Sequence, residues 1–248
     1  MKPFSGTAGL VLTKAMPMSF DLTQGPSSGA AGFVISGADI VDEGAYTGDT
    51  WIQCIVNVNS TPFLPHGART GNTIVNGCLS FGTIALNGLY GSGAVRGTSL
   101  TVGEDGSDSA FSGTAVLTSS LNITNSTMIL DGSVTQGAVN VAADAAIGGG
   151  GSIASTLTFA EGAKLSVAIA GNAAPCLDVA GAVTGSASVE ITAPRRVRDN
   201  FASCILRSGS AMPTTFTCAT KGYRLELREG DTELWAVKKP EMTFILIQ

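Results

Sequence analysis

The 248-residue sequence predicts an all-β fold: a single right-handed parallel β-helix with a C-terminal capping segment. Three observations carry this reading. First, residues 99–153 are a string of short apolar beats: Leu100 with Val102, Val116 with Leu117, Leu121 with Ile123, Met128 with Leu130 and Val139 with Val141. Each beat is closed by Gly, Asn, Asp or Ser. Second, no beat approaches the ~10 residues of a helix, and both Gly and β-branched side chains oppose one. Third, the connections lack the two-residue turns between alternating ~5-residue strands that mark hairpins. A chain that bends without reversing winds forward, with turns stacked ~4.8 Å apart in parallel register. Roughly ten such coils fit the body.

Composition agrees with a narrow coil interior. Glycine supplies 32 of the 248 residues, while charged residues make up 13% and aromatic residues 6%. Small side chains fill a thin core, and glycine supplies the bends that need positive φ. Mean hydropathy is positive, yet the charge-free stretch 109–130 is interrupted throughout by Ser, Thr and Asn. It therefore falls short of the ~18 consecutive apolar residues that suggest a spanning helix.

Charge is unevenly placed. Residues 1–194 carry 5 basic and 13 acidic side chains, and residues 195–248 carry 9 and 6. An acidic body repels phosphate, which argues against nucleic acid as a partner. Residues 6–12 are too short and glycine-interrupted for the core of a signal peptide.

In chain order, LVLTKAMPMSFDLTQG reads as two short strands around Pro17. FVISGADI (33–40) follows, and then YTGDTWIQCIVNV (46–58), the longest strand-like run. A proline-punctuated loop, TPFLPHGARTG, precedes NTIVNG, CLSFG and TIALNG, and the pattern then hardly changes to Ala170. Residues 1–194 form the solenoid body on this reading. A solenoid leaves an open strand edge that needs covering. Residues 195–239 fit a cap, because Tyr223 to Leu227 and Glu233 to Val237 alternate apolar with charged. Residues 240–248 form an apolar tail, MTFILIQ after Pro240 and Glu241, that pairs as an edge strand on the same molecule or adds to the sheet of another.

Several phrases resemble the autotransporter-associated β-strand repeat family. Leu12, Thr13 and Lys14 match its leucine-threonine-lysine phrase. Ala45, Tyr46, Thr47 and Gly48 match its tyrosine-threonine-glycine phrase, and Ala110, Phe111, Ser112 and Gly113 its phenylalanine-serine-glycine phrase. Residues 137–165 are similar to its closing phrase, and the order of the phrases agrees with their wording. Ala15 and Met16 stand where the family has glycine, and no second lysine phrase precedes Met128. The likeness spans roughly residues 10 to 240. It implies a parallel β-helical passenger at the bacterial cell surface or outside the cell. No segment here reads as the strands of the family's membrane barrel.

Candidate sites are sparse. Gly25-Pro26-Ser27-Ser28-Gly29 spells a nucleophile elbow, but no helix follows and Pro26 sits where a strained turn is wanted. It reads as a loop. His66 is the one histidine and reads as an exposed loop residue. Asp108 and Asp131 are one coil apart if a coil takes ~20–25 residues, with Glu104 and Asp105 nearby and Arg96 alone as a cation. Such a carboxylate pair could hold Ca²⁺ or do acid–base work, against a plainer reading as solvated turns.

Gly148 to Ser152 (GGGGS) lacks the lysine and the helix of a phosphate loop and reads as a turn or flexible corner. Asn59, Asn122 and Asn125 lie in glycosylation sequons. Cys54, Cys78, Cys176, Cys204 and Cys218 form no CxxC pair and lack the spacing of a zinc site. They read as buried thiols, with a Cys204–Cys218 bridge as the alternative. No catalytic residue, metal or cofactor is expected.

The expected function is accordingly non-enzymatic: a surface or secreted rod presenting a repetitive face to a glycan or a cell-surface protein. A polysaccharide lyase or hydrolase using Asp108 and Asp131, and a fibre subunit joined through the C-terminal strand, are the alternatives.

Overall fold

The computed structural model describes residues 10–12, 32–35, 50–52, 55–58, 64, 66–67, 71–171, 173–193, 197–198, 200–213 and 215–239. Among these residues there are strands and turns but no helix. One sheet stacks Leu10–Leu12, Gly32–Ile35, Ile55–Val58, Cys78–Phe81, Ala94–Val102, Thr114–Ile123, Ser133–Val141, Ser152–Ile153, Leu177–Val179 and Ala202–Ser208, each parallel to its predecessor. The other stacks Thr50–Ile52, Asn72–Val75, Gly88–Gly91, Ser109–Phe111, Thr127–Leu130, Ala146–Gly148, Lys164–Ala168, Ser188–Thr192 and Thr217–Cys218. The chain visits the two sheets in alternation, so it winds forward as a β-solenoid.

Among the described residues, the coils between Cys78 and Thr192 have three flat faces. The long strands Ala94–Val102, Thr114–Ile123 and Ser133–Val141 shift register part-way along, turning from a first face onto a second. Their second halves stack with Thr83–Leu86, Leu157–Phe159 and Val183–Gly185. The Ser109–Phe111 sheet is the third face. Coil length is not constant. Partners one coil apart are separated by 16 residues at Asn76 and Ser92, 19 at Thr114 and Ser133, and 29 at Ile191 and Thr220.

The alternation of strand side chains turns this winding into columns. On the second face Ile84, Leu100, Leu121, Val139, Leu157 and Val183 stack in register, all between 0% and 3% exposed. A parallel column on the third face runs Met128, Ile147, Leu165 and Val189. Burying each such aliphatic side chain stabilises the fold by about 1.5–3 kcal/mol. The phrase Ala110-Phe111-Ser112-Gly113 has a clear local meaning: Phe111 is buried in the core and Ser112-Gly113 makes the corner onto the first face.

That corner is a glycine column. A Cβ on Gly93 would overlap the Gly77 carbonyl, one on Gly113 the Gly93 carbonyl, one on Gly132 the Gly113 carbonyl, and one on Gly151 the Gly132 carbonyl. Backbones cross so closely there that no side chain fits. The GGGGS run is part of this packed corner, with Gly151 in the column and Gly149 at φ +104°.

Two sequence expectations change in detail. The run 46–58 is not one strand: Thr50–Ile52 and Ile55–Val58 belong to different sheets. Parallel stacking continues past residue 194 through Thr217–Cys218. The closing element is the hairpin Tyr223–Arg228 and Glu233–Lys238, which runs antiparallel along Ala202–Ser208. In Glu233–Lys238 the alternation buries Leu234 and Ala236, while in Tyr223–Arg228 only Tyr223 is buried and the remaining side chains are partly or fully exposed. Phe201 and Tyr223 meet edge-to-face, with ring centroids 6.3 Å apart. The strand Leu10–Leu12 is present, whereas the second strand expected near Pro17 and the tail 240–248 lie outside the described residues.

Candidate functional site

The outward side of the second face is a polar ladder. Strand alternation sends Leu100, Leu121, Val139, Leu157 and Val183 inward and leaves the next position outward on these five coils; the preceding coil has Ala85 there. Those positions are Thr101, Asn122, Asn140, Thr158 and Thr184, in register. Asn140 Nδ2 donates to Asn122 Oδ1 at 2.9 Å, and Thr184 Oγ1 donates to Thr158 Oγ1 at 3.1 Å. A neighbouring column adds Ser120, which donates to Ser99 Oγ at 3.3 Å and accepts from Asn122 Nδ2 at 3.2 Å. These hydroxyls and amides are uncharged, fixed by one another and repeated at the coil spacing of ~4.8 Å. Sequence reading put a repetitive face on the turn residues along one side, whereas this ladder lies on strand residues of the second face. The signal was present in the polar residue that follows each inward leucine or valine.

The carboxylates do something else. Ser109 pairs with Met128 and Phe111 with Leu130, which places Asp108 level with Thr127 and Asp131 level with Ser112. The two are on adjacent coils but at opposite ends of the third-face strand, about 13 Å apart along it. A spacing of 23 residues is therefore not one coil at this point; the coil takes 19. Each carboxylate accepts a backbone N–H of the next coil instead. Asp108 Oδ1 takes Thr127 N–H at 2.7 Å, and Asp131 Oδ1 takes Gly150 N–H at 2.9 Å. Asp105 closes its own turn by accepting Ser107 N–H at 2.8 Å. The carboxylate pair weighed as the alternative to solvated turns is not assembled. Among the described residues, no three His, Cys, Asp or Glu side chains converge on a point.

Glu104 lies in the same turn as Asp105 and faces His66 across the loops, Oε2 to Nδ1 at 3.5 Å, with both side chains about a third exposed (33% and 31%). This is a surface ion pair when the imidazole is protonated. Of the sequon residues, Asn122 is committed to the ladder and Asn125 sits in a left-handed turn at φ +50°; Asn59 lies outside the described residues. So does the Gly25–Gly29 elbow, and so does Cys54.

The thiols pair differently from the bridge considered above. Cys218 is on the third face and its thiol donates to the Thr220 carbonyl. Cys204 is on the first face, where its sulfur accepts a hydrogen bond from Cys176 at 3.3 Å. A Cys204–Cys218 bond is therefore not the arrangement the fold sets up.

The hairpin carries the densest charge. Glu233 accepts from Trp235 Nε1 at 2.9 Å and pairs with Arg207 at 3.1 Å. Glu226 lies between Arg224 and Arg228, and Arg228 also stacks 4.3 Å over the Trp235 ring. Hydrogen bonds from Arg228 and Arg224 hold the Glu226 carboxyl below its usual range. The Trp235 and Arg207 hydrogen bonds do the same for Glu233.

No family model, curated protein or solved structure matches the chain.

Proposed function

We propose that the chain is a non-enzymatic structural segment of a surface or secreted protein, a stiff rod that presents its ladder face to an extended glycan. The single observation that carries this is the register of Thr101, Asn122, Asn140, Thr158 and Thr184 along one flat side. Neutral donors and acceptors repeated along a line suit a neutral, hydroxyl-rich polymer. Their spacing is comparable to one sugar residue, so successive rungs meet successive units. Placement outside the cell rests on the resemblance to passenger repeats in residues 12–14, 45–48 and 110–113. Parallel backbone ladders supply stiffness, since each coil is fixed by its neighbours along its length.

The test is retention of the full chain on a panel of immobilised neutral and acidic polysaccharides. Thr158 and Thr184 are exposed, so the double variant Thr158→Glu with Thr184→Glu should fold and lose at least tenfold in binding. Equal retention of this variant on every matrix, or release of shortened sugar from any of them, would refute the reading.

A further inference from the structure

Leu177 pairs with Leu206 in parallel register, so Cys176 and Cys204 belong to neighbouring coils on the same face. Their sulfurs approach to 3.3 Å, and both side chains are half-buried, within reach of small solutes. The pairing of Ala202–Ser208 with the hairpin strand Glu233–Lys238 shifts register between Cys204 and Leu206, an irregularity of the kind that re-aims a side chain. The site lies where the last parallel coils give way to the antiparallel hairpin.

We propose that Cys176 and Cys204 form a reversible dithiol–disulfide pair, oxidised by a small-molecule disulfide, that clamps the last coil and the cap it carries to the coil before. Cys204 deprotonates and attacks one sulfur of the small disulfide, releasing one thiolate and leaving a mixed disulfide on Cys204. The Cys176 sulfur then gives up its proton and attacks Cys204 Sγ, expelling the second thiolate. The two protons pass to the two released thiolates. Two electrons have moved from the protein to the small disulfide, which ends as two thiols.

Closing the bond needs the sulfurs to move from contact to about 2.05 Å. The order of events follows from the surroundings. The hydrogen bond from Cys176, with a smaller contribution from the charge of Arg207, favours the Cys204 thiolate against its burial and the charge of Glu233. Donating that bond and being buried keep Cys176 protonated, against the pull of Arg207 and with a further push from Asp178. The direction of the hydrogen bond, from Cys176 to Cys204, marks Cys204 as the attacking sulfur and Cys176 as the resolving one.

The bond would span 28 residues and remove loop-closure freedom from the unfolded chain, which corresponds to a rise in Tm of about 7–14 °C. The full chain is equilibrated in graded mixtures of reduced and oxidised glutathione, blocked with N-ethylmaleimide and mapped by mass spectrometry, with melting followed in parallel. The expected result is a Cys176–Cys204 linked peptide in the oxidising mixtures, together with the rise in Tm. Both should be absent from Cys176→Ser and from Cys204→Ser, whose reduced forms should give the same circular dichroism as the reduced parent. Alkylation of both cysteines in the most oxidising mixture, linkage of Cys204 to Cys218, or a linked peptide with unchanged Tm would overturn the proposal.

Discussion

Gly132 follows Gly113 by one coil, so close to it that a methyl group on Gly132 would occupy the space of the Gly113 carbonyl oxygen. The same contact recurs from Gly113 to Gly93 and from Gly151 to Gly132. A corner this tight fixes the stacking of the first and third faces, because the backbones cannot slide apart without breaking the Gly132 N–H bond to Phe111 O and the Gly151 N–H bond to Leu130 O. Gly113→Ala and Gly132→Ala should each destabilise the fold by about 1–3 kcal/mol, the range for an overpacked interior. Gly82→Ala, whose new methyl meets nothing within 4 Å, should leave the denaturation midpoint within about 0.5 kcal/mol of the parent. Urea unfolding of the three variants checks this.

Leu121 sits mid-column between Leu100 and Val139 and is fully buried. Leu121→Ala leaves a hole that neighbours held by parallel ladders cannot readily close. The expected loss is about 2–5 kcal/mol, again read from urea unfolding.

The ladder makes a smaller contribution. Asn140→Ala removes the donor to Asn122 Oδ1 but leaves that oxygen half in solvent, so the expected cost is about 0.5–1.5 kcal/mol. Losing more than the Leu121 variant would show that the ladder, rather than the column behind it, holds the second face.

Acid should loosen the hairpin before the coils. Glu226 and Glu233 both have folded-state pKa values below their unfolded ones. Their contribution is therefore complete above the unfolded carboxylate value of about 4.3 and is lost as pH falls through the lower folded values. Hydrogen exchange of the amides in Tyr223–Arg228 and Glu233–Lys238 should quicken below that point while those of Thr114–Ile123 stay protected. In Glu226→Gln this acid-dependent change should shrink. Equal acceleration in both regions would contradict the assignment.

Much of the coil was legible because its strands are unusually plain. Inward Leu, Val and Ile, broken by Gly, Asn and Ser, leave little room for a helix, and the alternation in Tyr223 to Leu227 and Glu233 to Val237 pointed to the strands of the closing hairpin. The length of the coil was not legible. It varies from 16 to 29 residues because loops of different size leave the same corners, so no fixed period points from Asp108 to Thr127. A glycine preceded by a small or polar residue, at Asn76-Gly77, Ser92-Gly93, Ser112-Gly113 and Asp131-Gly132, was the better ruler. The approach of Cys176 to Cys204 and of His66 to Glu104 depends on loop paths between coils, which local pattern does not encode.

The most direct test of the winding is a methyl NOE map of Leu- and Val-labelled protein. Stacking predicts the chain of contacts Leu100 to Leu121, Leu121 to Val139 and Val139 to Leu157, with none from Leu100 to Leu157. Contacts that skip this order, or that join each beat to its immediate sequence neighbour across a reversing turn, would contradict the solenoid.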